Sequence, residues 1–156
     1  AIRIARLANC PLRVAGGWKP SLDRRIRWMG MVDDSAKRDL LAGARALLNP
    51  IRWEEPFGLV VVEALVSGTP VLASPMGAMP ELVSEEVGAL CSNDGEFVEA
   101  LTRIDTWEPE ACRQRVLQHF THLVMAESYL ELYRRAIAGG LGDEDAASGP
   151  GSGSEL

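Results

Sequence analysis

The chain has 156 residues, of which 47% are hydrophobic and 24% charged, and its formal net charge is −6. This length fits one domain with its own core, and the composition is that of an ordinary globular protein. Much of the negative charge lies in the C-terminal stretch 141–156, so the body is close to neutral and lacks the basic surface typical of nucleic-acid binding. We expect no nucleic-acid partner.

The cysteines and histidines do not form a metal-binding pattern. Cys10, Cys91 and Cys112 are far apart and odd in number, which disfavours a disulfide framework and a zinc site. His119 and His122 have no cysteine or carboxylate at ligand spacing. We therefore predict no metal.

Apolar spacing and turn residues predict strands that alternate with helices. The predicted helices are residues 2–7, 35–45, 59–66, 79–83, 96–104, 109–119 and 121–138. The predicted strands are residues 12–15, 26–29, 46–49, 70–74 and 89–91. This alternation is typical of an α/β fold with a parallel sheet, and the apolar stripe of 121–138 is expected to pack on the body.

The segment 59–66 is the ambiguous one. Its valines favour a strand by propensity alone. We interpret it as a helix because Gly58 precedes it, Gly68 follows it, and another strand begins at Pro70.

Two glutamates, Glu55 and Glu63, stand eight positions apart around a Pro-Phe-Gly turn. If the helix begins here, the N–H groups of Gly58, Leu59 and Val60 form an anion site beside a glycine that permits close approach. Glu63 would lie one turn further along, on the face of Leu59. The arrangement suits a phosphate flanked by hydroxyl groups.

Three segments together resemble a known family: 52–65 (RWEEPFGLVVVEAL), 68–71 (GTPV) and 77–81 (GAMPE). They resemble the donor-binding half of retaining glycosyltransferases of the GT-B type, group 4, with a Glu-x7-Glu motif. The resemblance covers about residues 1–138. It implies a Rossmann-like parallel sheet with flanking helices, a nucleotide-sugar (NDP-sugar) as donor of a hexosyl group, and no metal or other cofactor. The donor-binding domain is then expected at 1–140. Residues 141–156 contain mainly Gly, Ser, Ala and acidic residues with little to bury, which predicts a flexible tail.

The resemblance implies a role for each motif carboxylate. Glu63 would accept hydrogen bonds from the ribose hydroxyls, and Glu55 would lie beside the donor sugar and position its hydroxyls. Glu54 is adjacent and could take the role of Glu55. No residue is assigned a catalytic role beyond that candidate.

Other residues of the implied site act mainly through their backbone. They are Phe57, Gly58, Leu59 and Val60 for the sugar and diphosphate, with side chains expected in the core, and Gly30, Met31 and Val32 for the nucleobase. Trp53 is expected either to stack on a ligand or to pack under the helix. The run Arg24, Arg25 and Arg27 is expected to be a solvated strand edge rather than a phosphate site.

The family also implies parts that this sequence does not match. Full members have an N-terminal acceptor domain, and a first strand and loop that carry an Arg and a Lys for the pyrophosphate. In a sheet of order 3-2-1-4-5-6 that strand lies in the middle, so 12–15 and 46–49 would each have an open edge. We expect these strands to pair directly, to exchange elements with a second copy in a homodimer, or to need the missing part. Turnover by this chain alone is not expected.

Two other functions remain open. One is a non-catalytic α/β assembly module that associates through its sheet edges. The other is a different NDP-sugar enzyme such as an epimerase, which the Pro-Phe-Gly and GTPV segments disfavour. The family and the lack of a signal-peptide pattern predict a cytoplasmic location, and a peripheral position at the inner membrane face is the alternative within it.

Overall fold

The computed structural model describes residues 1–17, 19 and 21–138. Five strands are present in these ranges: β1 (Leu12–Ala15), β2 (Ile26–Gly30), β3 (Leu47–Asn49), β4 (Val71–Ala73) and β5 (Gly88–Leu90). The helices are α1 (Ile2–Leu7), α2 (Asp34–Ala42), α3 (Leu59–Val66), α4 (Met79–Leu82), α5 (Asp94–Thr102), α6 (Pro109–His119) and α7 (His122–Ile137), with a 3-10 turn at Ile104–Thr106. Every predicted helix and strand is confirmed, with small differences at the ends, and 59–66 is a helix. The predicted tail 141–156 lies outside the described residues.

All strand pairs are parallel, which confirms the predicted α/β class. The strands form two sheets, β1–β2 and β3–β4–β5. Among the described residues, β1 pairs only with β2 and β3 only with β4. Direct pairing of β1 with β3, one of the three expected outcomes, is therefore not what the chain does. Within the described residues, each of these two strands has one edge without a paired strand.

The core forms on both faces of β4. All three residues of β4 are fully buried, as expected for a strand covered on both sides. Leu72 packs with α1 and α5, through Ile4 and Phe97 among others. Val71 and Ala73 face the opposite cluster, to which α3 and α6 contribute. This packing fixes α3 against the three-stranded sheet.

The chain divides into two compact units, Ala1–Phe120 and Thr121–Leu156. In the second unit, the Thr121 hydroxyl accepts a hydrogen bond from the N–H of Val124 (3.3 Å) and so caps α7. The packing of its apolar stripe on the body stays a prediction. In the part of the chain that the structure describes, no helix has the length and hydrophobicity needed to cross a membrane.

Candidate functional site

Two of the motif segments begin in loops that follow the carboxyl ends of parallel strands, whereas the GTPV segment leads into the amino end of β4. Residues 50–58 follow β3 and residues 74–78 follow the adjacent β4, so the two loops meet at one edge of the sheet. Residues 31–33 follow β2 in the other sheet. Ligands of open α/β sheets bind outside the carboxyl ends of the strands. The three loops are therefore where a ligand would be expected.

Gly58 shapes the start of α3. Its φ of +88° is in the left-handed region, and a Cβ added there would lie 2.6 Å from Met79 Cε and 3.3 Å from Leu82 Cδ1. Only glycine fits both the backbone conformation and the space. The N–H of Val61 already donates to Gly58 O (2.9 Å), so the groups without an intrahelical acceptor precede Val61.

The side chains at this helix start are not in the core, contrary to the prediction. Leu59 is 70% exposed, Phe57 43% and Val60 38%. The reason is that α3 buries the opposite face, through Val61 and Leu65 among others. Replacing Leu59 or Val60 is therefore not expected to act mainly on folding, contrary to the sequence-based prediction.

A matched pair of substitutions in α3 tests this correction. We expect Leu59→Ala to change the free energy of unfolding by less than about 0.5 kcal/mol, as exposed substitutions do. Leu65→Ala removes a fully buried side chain and should cost about 2–5 kcal/mol. Urea denaturation of both variants measures the difference, and equal losses would contradict the assigned faces.

Glu54 and Glu55 have different partners, which separates their roles. The Glu54 carboxylate accepts the N–H of Gly77 (2.5 Å), so it holds the neighbouring loop. Glu55 is half-buried, and its Oε2 accepts the indole N–H of Trp53 (3.0 Å). Trp53 itself is 59% exposed, so it does not pack under the helix. Each carboxylate thus keeps its Oε1 outside these contacts, and the two differ in what the Oε2 holds: the loop after β4 for Glu54 and the Trp53 indole for Glu55.

Glu63 lies beside a cation that the sequence interpretation missed. The Nζ of Lys37 in α2 is 2.7 Å from Glu63 Oε1 and 3.3 Å from Asp34 Oδ1. These hydrogen bonds, the one to Glu63 foremost, raise the pKa of Lys37, so its ammonium is charged near neutral pH. The Glu63 side chain is 39% exposed and open to a ligand.

The predicted nucleobase loop is at the end of β2. Gly30 has a φ of +70°, Met31 is 86% exposed, and Val32 is half-buried. Asp33 then caps α2 by accepting the N–H of Ala36 (2.8 Å). The Lys37–Glu63 ion pair links this helix to α3, so the structure brings the loop and the glutamate motif into one region.

The basic run is part of another interaction. The Arg25 guanidinium is 3.0 Å from the Asp23 carboxylate, and this contact lowers the pKa of Asp23 and raises that of Arg25. Arg24, Arg25 and Arg27 are all exposed. This placement agrees with the prediction of a solvated edge.

No metal site was found among the described residues, where no group of three or more His, Cys, Asp or Glu could hold an ion. Cys91 and Cys112 are buried, and burial raises the pKa of each thiol to about 11. Both are therefore protonated at neutral pH and poor ligands. That the function needs no metal stays a prediction.

Known proteins with this fold identify the class. The crystal structure of AviGT4, a glycosyltransferase involved in avilamycin A biosynthesis, matches with a TM-score of 0.70 and 30% identity, over 87% of this chain and 46% of that one. HepE of Anabaena, crystallised with UDP and glucose, matches in fold with a TM-score of 0.66 at 22% identity, over 85% of this chain and 44% of that one. The fold is the Rossmann-like fold of GT-B glycosyltransferases.

The family follows from the sequence comparison. The family described as "Glycosyl transferases group 1" matches residues 2–105, and the chain belongs to it. A phosphatidyl-myo-inositol mannosyltransferase of Mycobacterium leprae is 40% identical over 77 residues, which are 49% of this chain and 20% of that protein. The chain spans 20% to 35% of the length of such curated relatives.

Proposed function

We propose that this chain is the nucleotide-sugar donor-binding domain of a retaining glycosyltransferase that transfers a hexosyl group. The observation that carries the proposal is the position of Glu63, one turn into a helix that starts at a left-handed glycine at the carboxyl edge of the sheet. Family membership supports it.

The proposed roles follow from the chemistry of each group. Free N–H groups at the start of α3 take part of the diphosphate charge, which grows as the diphosphate leaves. Glu63 accepts hydrogen bonds from ribose hydroxyls, because a carboxylate offers acceptors without a competing donor. Glu55 positions the hydroxyls of the donor sugar. Gly30, Met31 and Val32 contact the base, and no metal takes part.

Transfer is expected to need residues beyond this chain. The chain matches only 20% to 35% of the length of the curated relatives, and the family resemblance implies that the acceptor binds to another domain. An acceptor-binding domain is therefore the partner that we propose, and a cytoplasmic location belongs to the same proposal.

A binding titration tests the proposal. UDP, GDP and ADP are titrated by calorimetry into the unaltered chain and into Glu63→Ala. We expect one nucleotide to bind and the substitution to weaken it about 10- to 100-fold, the range for hydrogen bonds to a charged group. Glu99→Ala, which removes an exposed helical glutamate of α5, is the matched control. No binding of any nucleotide to the unaltered chain would refute the proposal.

A second candidate is an assembly module, which the open edges of β1 and β3 favour. Sedimentation over a hundredfold range of concentration distinguishes the two. Self-association without nucleotide binding supports assembly, and a nucleotide-binding monomer contradicts it.

A further inference from the structure

Lys37 places an ammonium group directly beside the proposed ribose-binding carboxylate. Its Nζ lies 2.7 Å from one oxygen of Glu63 and 3.3 Å from one oxygen of Asp34. An ammonium carries three N–H donors, and these contacts engage two of them. Since the Lys37 side chain is 32% exposed, the third donor has access to solvent or to a ligand.

The position of this ammonium is set by the fold. Lys37 lies in the first turns of α2. Its backbone N–H donates to the carbonyl of Asp33, the residue that caps the helix (2.8 Å). A cation near a helix N-terminus is disfavoured by the helix dipole. The two carboxylates compensate for that cost and direct the side chain towards α3. The ammonium is therefore held at Glu63 rather than free to sample solvent.

The geometry points to Lys37 and Glu63 as a joint donor and acceptor for a vicinal diol. One ribose hydroxyl donates to the free oxygen of Glu63, and the Lys37 ammonium donates to a hydroxyl oxygen of the same diol. A carboxylate alone satisfies only the hydroxyl protons, whereas the pair satisfies both kinds of group. Lys37 is thus a specificity residue for nucleotides that carry both ribose hydroxyls, an inference that rests on the proposed function.

Two other effects of Lys37 predict different results. If the ammonium acted on the diphosphate by charge alone, its loss would weaken the binding of ribonucleotides and of dideoxynucleotides equally. If it only occupied Glu63, its loss would free an acceptor oxygen and strengthen the preference for the diol. The joint role predicts that this preference falls.

The experiment compares each nucleoside diphosphate, UDP, GDP or ADP, that binds the unaltered chain with its 2′,3′-dideoxy analogue. The preference for the diol is the dissociation constant of the dideoxy analogue divided by that of the nucleoside diphosphate. For Lys37→Met we expect this ratio to fall about tenfold, which corresponds to the loss of one charge-assisted hydrogen bond. Affinity for the dideoxy analogue should change less than about threefold, because that ligand lacks the diol. Expressed as free energies, the change in this ratio for the double variant Lys37→Met, Glu63→Gln should be smaller than the sum of the changes for the two single variants, since both residues act on one diol.

Arg38→Met is the control, because it removes one positive charge from the next, exposed position of α2. It should leave the ratio unchanged. If the preference ratio of Lys37→Met equals or exceeds that of the unaltered chain, the inference is overturned. Binding of a ribonucleotide to the unaltered chain would in that case still support the proposed function. Failure of the unaltered chain to bind any of the three nucleotides overturns both.

Discussion

Replacing Gly77 with alanine should unfold much of the protein. Gly77 has a φ of +56°, and a Cβ there would lie closer than 3.0 Å to the backbone N and O of Glu55. Its own N–H donates to Glu54, and the next N–H, of Ala78, donates to Glu55 O (2.9 Å). The clash is with backbone, which no rotamer change relieves. We expect a loss of about 4 kcal/mol or more, from left-handed strain and overpacking together.

Gly17→Ala is the matched control for this substitution. Gly17 also has a positive φ, of +89°, but a Cβ there meets no atom of the described residues within 4 Å. It should therefore show only the backbone cost, about 1–2 kcal/mol. Thermal and urea unfolding of both variants measure the difference. If Gly77→Ala were no worse than Gly17→Ala, the assigned contact between the loop after β4 and the Glu54–Glu55 segment would be wrong.

Most of the fold could be predicted from local sequence because turn residues separate the elements. Gly58 and Gly68 mark both ends of α3, and their positive φ values, +88° and +84°, explain why glycine stands there. These signals outweighed the strand propensity of four valines. The arrangement of strands into two sheets was less accessible, because it depends on pairing between distant segments rather than on local pattern.

The sequence contains a signal for the buried face of α3, although the prediction that Leu59 and Val60 lie in the core is wrong. A helix that is apolar all round shows no amphipathic stripe. However, Glu63 marks the accessible side, and Leu59, Val60 and Val66 stand three or four positions from it. All three are exposed. One charged residue in the run was therefore sufficient to orient the helix.

The partners of the carboxylates could not be predicted. Lys37 is 26 positions from Glu63 and on a different helix, so no spacing rule connects the two. Glu54 and Glu55 are adjacent in sequence, and only the fold shows that Gly77 engages the first and Trp53 the second. These contacts depend on how loops of neighbouring strands meet, which sequence periodicity does not contain.

Gly58→Ala should damage both stability and nucleotide binding. The substitution places a Cβ 2.6 Å from Met79 Cε and 3.3 Å from Leu82 Cδ1, and both of these side chains are buried. We expect a loss of about 2–4 kcal/mol in the free energy of unfolding, the sum of backbone strain and overpacking. Because relief of the backbone strain requires α3 to begin differently, the N–H groups proposed to face the diphosphate should move with it. Nucleotide affinity of the folded fraction should then fall more than about tenfold.

Gly16→Ala separates the two effects, since Gly16 has nearly the same φ, +87°, with nothing within 4 Å of an added Cβ. It should lose stability through the backbone alone and keep its affinity for nucleotide. Calorimetric titration is carried out at a temperature where unfolding curves show each variant to be folded. A folded Gly58→Ala protein that binds nucleotide as tightly as the unaltered chain would mean that the start of α3 does not contact the ligand. The donor diphosphate would then have to be bound by other groups than the N–H groups of α3.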